Sequence, residues 1–187
     1  MPTPTSGMWA AAAKESVRFL WGVFSKPKLT VYFDKSQTYR TAFDILSSRQ
    51  GMFLHVMVAN RGRRVAKKCR GSLIEVLAEG RDGYVPAKGF DNPVDLHWAH
   101  EPPDCYAKDI AHDDKPTRLD VCYAHEGIPM LHVFCEKIPR GIQTDFPPGR
   151  YKVRVRVRSE EGAVCFVHLL VAYDGEFKSL YMEQLED

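Results

Sequence analysis

The sequence contains no Gly-rich phosphate loop, no Ser nucleophile elbow and no HExxH metal motif, so the familiar routes to phosphoryl transfer, acyl transfer and zinc hydrolysis are not written in it. It also lacks a CxxC pair, which excludes the usual zinc-ribbon and thioredoxin signatures. An excess of either charge is missing. The 26 Lys+Arg stand against 24 Asp+Glu, a formal net charge of +2, far from the strongly basic balance of a generally nucleic-acid-seeking protein. No internal repeat of solenoid length is visible. The expectation from these absences is a protein that is not an enzyme and needs no cofactor.

What is present suits one globular core. The chain has 187 residues, 44% of them hydrophobic and 27% charged, which argues against disorder as the main state. Its five cysteines, Cys69, Cys105, Cys122, Cys135 and Cys165, are odd in number and irregularly spaced. Most lie in apolar or strand-like surroundings, where free cysteine behaves as a small buried hydrophobe. They read as reduced thiols of a cytoplasmic protein. Pairing with a histidine base is disfavoured: Cys165 and His168, like Cys135 and His132, stand three apart on strand-like runs and so point to opposite faces. Cys122 and His125 flank a turn, which leaves that pair open.

Between Met8 and Phe24 the sequence is helix-prone, with alanine at positions 10–13. Lys14, Glu15 and Arg18 interrupt the stretch, so it does not offer a bilayer about 18 uncharged apolar residues. No positively charged start precedes it as a signal peptide requires. At helical period Trp9, Ala13, Val17, Leu20 and Phe24 share one face. Residues 1–26 are therefore expected to be an amphipathic helix and linker, packing on its own domain or on a second copy. The alternative is peripheral adsorption to a membrane surface, because Phe19 and Trp21 widen the apolar stripe and Lys26 and Lys28 follow it.

Residues 27–187 read as a chain of short strands. Pro27 stops the helix and residues 29–33 alternate. Residues 35–50 are polar and mixed, with a short helical turn expected around Phe43–Leu46. Residues 52–59 are a nearly continuous apolar run suited to a central strand, and Asn60-Arg61-Gly62 supplies turn chemistry. Residues 67–78 resume as a strand, with Cys69, Gly71, Leu73 and Glu75 on one face and Ser72, Ile74 and Val76 on the other. Residues 86–116 are rich in Pro, Asp and His and read as long loops around short strands. Order returns at 118–123 and 130–136. Tyr151, Val153, Val155 and Val157 then alternate strictly with Lys152, Arg154, Arg156 and Arg158, which requires one buried and one solvated face. Residues 164–173 and 177–182 complete an antiparallel meander. About eight strands with turn signals and no crossover helices predict an all-β antiparallel sandwich.

Two segments resemble immunoglobulin-like domains of the CARDB-like type found in bacteria and archaea. Val56-Met57-Val58-Ala59-Asn60-Arg61-Gly62, with Ala66 following, looks like their strand ending in an Asn-x-Gly turn. Phe146-Pro147-Pro148-Gly149-Arg150-Tyr151-Lys152-Val153 looks like their Pro-Gly-x-Tyr entry to a late strand, in which Tyr151 would bond a nearby backbone group. The resemblance covers under a fifth of the chain. It implies an immunoglobulin-like sandwich, and binding rather than catalysis by analogy alone. Such relatives are typically exported and modular, and this chain departs from them in its cysteines and in lacking a signal.

Three functional readings follow. The first is a protein-binding or scaffolding module, self-associating through residues 8–24. The second is an anion-binding module for nucleic acid or an acidic membrane surface. Residues 1–80 hold 13 Lys/Arg against 5 Asp/Glu, whereas residues 81–149 hold 7 against 12. Arg61, Arg63, Arg64, Lys67, Lys68 and Arg70 crowd one turn, and Arg154, Arg156 and Arg158 line one face of a strand. That strand carries no interleaved aromatic side chains for base stacking. The third is a metal-dependent enzyme at His97, His100 and Cys105, whose imidazole and thiolate groups are ligands zinc accepts. Pro93, Pro102 and Pro103 work against the helical turn that would make His97 and His100 converge.

Overall fold

The computed structural model describes residues 26–43, 50–102, 105–135, 138 and 140–186; the expected amphipathic helix lies outside them. In chain order the described strands are β1 (Leu29–Tyr32), β2 (Tyr39–Phe43), β3 (Gln50–Asn60), β4 (Ala66–Gly80), β5 (Gly83–Pro86), β6 (Val94–Asp95), β7 (Lys108–Ile110), β8 (Thr117–His125), β9 (Leu131–Val133), β10 (Asp145–Phe146), β11 (Gly149–Arg158), β12 (Val164–Tyr173) and β13 (Tyr181–Gln184). All their pairings are antiparallel. The protein is all-β.

Two sheets share these strands. The smaller runs β1-β3-β8-β9-β10, with β2 also on β3; the larger runs β13-β12-β11-β4-β5, with β6 and β7 also on β4. The strand count exceeds the expected eight because two edges are broken into pieces. β1 and β2 follow one another along β3, separated by a helical turn at Lys35–Thr38. The helical turn expected around Phe43–Leu46 lies, beyond Phe43 at the end of β2, outside the described residues. On β4, residues 77–80 pair with β5, 72–73 with β6 and 66–69 with β7. Broken edges offer no long row of free backbone groups for pairing with another chain.

The core lies between the sheets. Leu54, Val56 and Val58 of β3 and Leu119 and Val121 of β8 meet Leu73 and Val76 of β4, Val153, Val155 and Val157 of β11, and Val167, Leu169 and Val171 of β12 in one cluster. Each such side chain contributes about 1.5–3 kcal/mol when fully buried. The meander β11-β12-β13 forms as expected, except that residues 177–179 make a 3-10 turn before β13 begins. Tyr151 is buried and its hydroxyl donates to the Pro147 carbonyl at 2.6 Å.

Two bulges change which side chains face the core. Between β4 and β11 the register passes from Val155↔Leu73 to Arg154↔Glu75, so Ile74 is an extra residue. Leu73 and Val76 are both buried while Glu75 is exposed, which corrects the expected grouping of Glu75 with Leu73. One inserted residue shifts a period-two pattern by one. The second bulge lies between β3 and β8, where Leu54↔Cys122 is followed by His55↔Asp120 and Val121 is extra.

The segment from Val94 to Ala99 joins the two sheets. Val94 and Asp95 pair with β4, and the Leu96 N–H donates to the Gly71 carbonyl at 2.9 Å. Beyond them the Asp120 N–H donates to the His97 carbonyl at 2.9 Å, Trp98 bridges Leu119, and the Ala99 N–H donates to the Arg118 carbonyl at 3.0 Å. A strand that leaves one sheet for the other closes a corner of a sandwich. Trp98 is fully buried at that corner, its indole N–H donating to the Cys69 carbonyl at 3.2 Å.

Candidate functional site

The antiparallel pairing of β4 with β11 brings the two basic segments together. Arg158 stands opposite Arg70, and Arg156 opposite Ser72. The inward partners of this stretch, Val157 and Gly71, lean on the core; a Cβ at Gly71 would collide with Leu119. Arg70, Arg156 and Arg158 therefore share the outer face. Arg61, Arg63, Arg64, Lys67 and Lys68 are exposed at the adjoining β3–β4 turn. Among the described residues Lys68 pairs with Glu160 at 2.9 Å, whereas Arg70, Arg154, Arg156 and Arg158 make no ion pair. The Glu160 hydrogen bond and charge raise the Lys68 pKa above its ordinary value. Glu79 lies 3.8 Å from Arg150 at the other end of β11, and the exposed Glu75 stands opposite Arg154.

Neighbouring strands supply the aromatic groups that β11 itself lacks, a correction to the reading of that strand alone. β12 places Val164 opposite Arg158, Phe166 opposite Arg156 and His168 opposite Arg154. Phe166 is 44% exposed and Val164 50%. The Arg154 guanidinium lies over the Phe166 ring at 4.6 Å, and the Lys152 ammonium over the Tyr84 ring of β5 at 4.4 Å. Such contacts contribute about 0.5–1 kcal/mol at exposed sites and hold the cation in place. The Nε atoms of Arg154 and Arg156 are buried without a hydrogen-bond partner, so both side chains lie down along the sheet.

The proposed metal ligands are spread over different surroundings. His97 is buried, His100 is exposed with a φ of 68°, and the half-buried Cys105 thiol donates to the Ala107 carbonyl at 3.3 Å. Among the described residues no three His, Cys, Asp or Glu side chains are grouped to hold a metal ion. His97 belongs instead to a buried cluster that sequence reading missed. The Asp120 carboxylate lies between two imidazoles, bonded to His55 Nδ1 on one oxygen and 3.5 Å from His97 Nδ1 on the other. His97 Nε2 faces the Pro102 carbonyl at 3.4 Å. With Phe53, Phe134, Ala99 and His100 the cluster borders a cavity of about 210 Å³. The signal was a polar pair, His55 and Asp120, inside otherwise apolar strands; their contact needed the β8 bulge to be known.

Beside this cluster an aromatic row crosses the outer face of the smaller sheet. Phe53 stacks on Tyr123 at 5.3 Å and Tyr123 on His132 at 5.0 Å, while His132 Nδ1 bonds Asp145 at 2.7 Å. His125 packs edge-on against Tyr123. The open pair Cys122 and His125 is thereby separated, since Cys122 belongs to the core.

All five cysteines are unpaired. Burial pushes Cys69 and Cys122 up to about 12, and Cys135 and Cys165 up to about 11, so these thiols are poor nucleophiles. The unfolded chain releases thiol protons from about pH 9, while the folded chain retains them until about 11–12. Stability is therefore expected to fall as pH rises above 9, by about 1.4 kcal/mol per pH unit for Cys122 alone. Urea midpoints at pH 8 and 10.5 check this; an equal fall in a Cys122→Ala variant would remove that thiol as a cause.

Comparison with protein-family models, curated proteins and solved structures gives no match. Among the described residues no helix is long and apolar enough to cross a membrane.

Proposed function

We propose that the protein is a non-catalytic binding module of immunoglobulin-like type whose partner is a polyanion, docked on the outer face of the larger sheet. The observation that carries this reading is the opposition of Arg70 and Arg158, which joins the basic turn to the basic strand in one surface where Arg70, Arg154, Arg156 and Arg158 make no ion pair among the described residues. Uncompensated like charges repel one another, and a surface that holds them close gains most from an anionic partner. The Tyr151 hydroxyl bond to Pro147 supports the immunoglobulin-like class. The five unpaired cysteines suit a reducing, cytoplasmic compartment.

Heparin-resin chromatography tests the proposal. The native protein is expected to be retained at low salt and released as salt rises. The Arg70→Glu/Arg158→Glu variant should elute at clearly lower salt with an unchanged circular dichroism spectrum, since both side chains are exposed. Coincident elution of the two proteins would sink the reading.

A further inference from the structure

We infer that the polyanion is single-stranded nucleic acid, its phosphates following the arginine row of β11 and β4 and its bases lying over Phe166 and its neighbours on β12. The inference rests on the polyanion reading above and adds the chemistry of the partner.

Arg154, Arg156 and Arg158 are alternate residues of one extended strand. Their spacing is therefore about 6.6–6.8 Å from one cation to the next, a step close to that between successive phosphates of an extended single strand. One strand away, about 4.8 Å to the side, runs the parallel row of Val164, Phe166 and His168. Cations along one line and an exposed ring on the next suit an unpaired nucleic-acid strand, because its charge and its bases lie on opposite edges. Phe166 is 44% exposed; the Arg154 guanidinium over its ring covers one face and is itself a planar group on which a base stacks.

Other polyanions use less of this face. A duplex hides its base faces and would engage the arginines without Phe166. An acidic peptide would answer the charges with no need of a stacking ring. A lipid surface calls for a protruding apolar group or an amphipathic helix, whereas Val164 and Phe166 lie on a flat sheet beside arginines whose Nε atoms are pressed into it. Those two arginines are already laid along the sheet, so little side-chain freedom is lost when a phosphate arrives.

The test is fluorescence anisotropy with a labelled oligothymidine of about 12 nucleotides, within the range one small β-domain covers, in low salt. A duplex of the same length, polyglutamate and phosphatidylserine vesicles serve as competitors. The single strand is expected to bind most tightly. Phe166→Ala should weaken it roughly 5- to 100-fold while leaving heparin retention unchanged, and Phe166→Tyr should restore it. Arg156→Glu should weaken oligonucleotide binding and lower the salt slope by about one. Equal oligonucleotide affinity of the native and Phe166→Ala proteins would overturn the inference, as would tighter binding of any competitor; heparin retention with either result leaves the polyanion reading standing. Loss of binding to every polyanion would overturn both.

Discussion

Replacing Asp120 with alanine is expected to remove about 3–5 kcal/mol of folding stability, the cost of breaking a buried pair by deleting one partner. His55 is 2% exposed and Asp120 6%, so the pair is largely withdrawn from bulk solvent. Among the described residues His55 Nδ1 would lose its only acceptor in the variant, and His55 Nε2 already has none. The imidazole would then be buried with both nitrogens unsatisfied. His97 would lose the carboxylate oxygen that its Nδ1 faces at 3.5 Å. For a domain of this size the melting temperature should drop by roughly 6–20 °C. Urea unfolding of the native and Asp120→Ala proteins measures the difference directly. A loss below about 1 kcal/mol would show that the carboxylate is not holding the two imidazoles.

The same residues mark the limit of what the sequence reveals. The sandwich was legible because β11 alternates without interruption: Val153, Val155 and Val157 can face only one way, and the arginines between them only the other. The smaller sheet offered no such pattern. In β3, seven residues from Leu54 to Asn60 are all buried, so the run shows no period and His55 looks like an isolated polar interruption. Asp120 enters the site because Val121 is an extra residue in β8. A bulge is a fact of pairing between two strands, and neither strand records it alone. Bulged positions re-aim side chains and recur beside functional sites.

The basic surface was half legible for a related reason. Each cluster of Lys and Arg could be seen along the chain, but their adjacency depends on the register of β4 against β11. That register is set by the turns and by the extra residue Ile74. Phe166 escaped notice because a residue's neighbours within a sheet come from other strands. Read along β12, it is one apolar residue in a run of apolar residues. Across the sheet, it is the ring beside Arg154 and Arg156.

Asn60 shows how the turn that displays Arg61, Arg63 and Arg64 is held, and its substitution is the second large effect. The side chain is 2% exposed and makes four hydrogen bonds. Its oxygen accepts the Lys28 N–H at 3.0 Å and the Gly62 N–H at 2.9 Å, while its amide nitrogen donates to the carbonyls of Arg64 at 2.6 Å and Ile110 at 3.0 Å. One side chain thus ties the entry to β1, the turn after β3 and the end of β7. Gly62 belongs to the same knot, since a Cβ there would collide with the backbone of Lys26 and Lys28. At about 1 kcal/mol for each bond, Asn60→Ala should cost roughly 3–4 kcal/mol. Asn60→Asp keeps the shape and both accepted bonds but turns a carboxylate oxygen toward two carbonyls, so at neutral pH it should be at least as damaging. The facing carbonyls disfavour the charged form and raise the folded-state pKa of that new carboxyl. Its penalty should therefore shrink as pH falls and the carboxyl, once protonated, donates to one of them. Urea midpoints of the native, Asn60→Ala and Asn60→Asp proteins at pH 7 and pH 4.5 separate the two effects. An Asn60→Asp protein as stable as the native one at pH 7 would mean that the Arg61–Arg64 turn is held by its backbone alone.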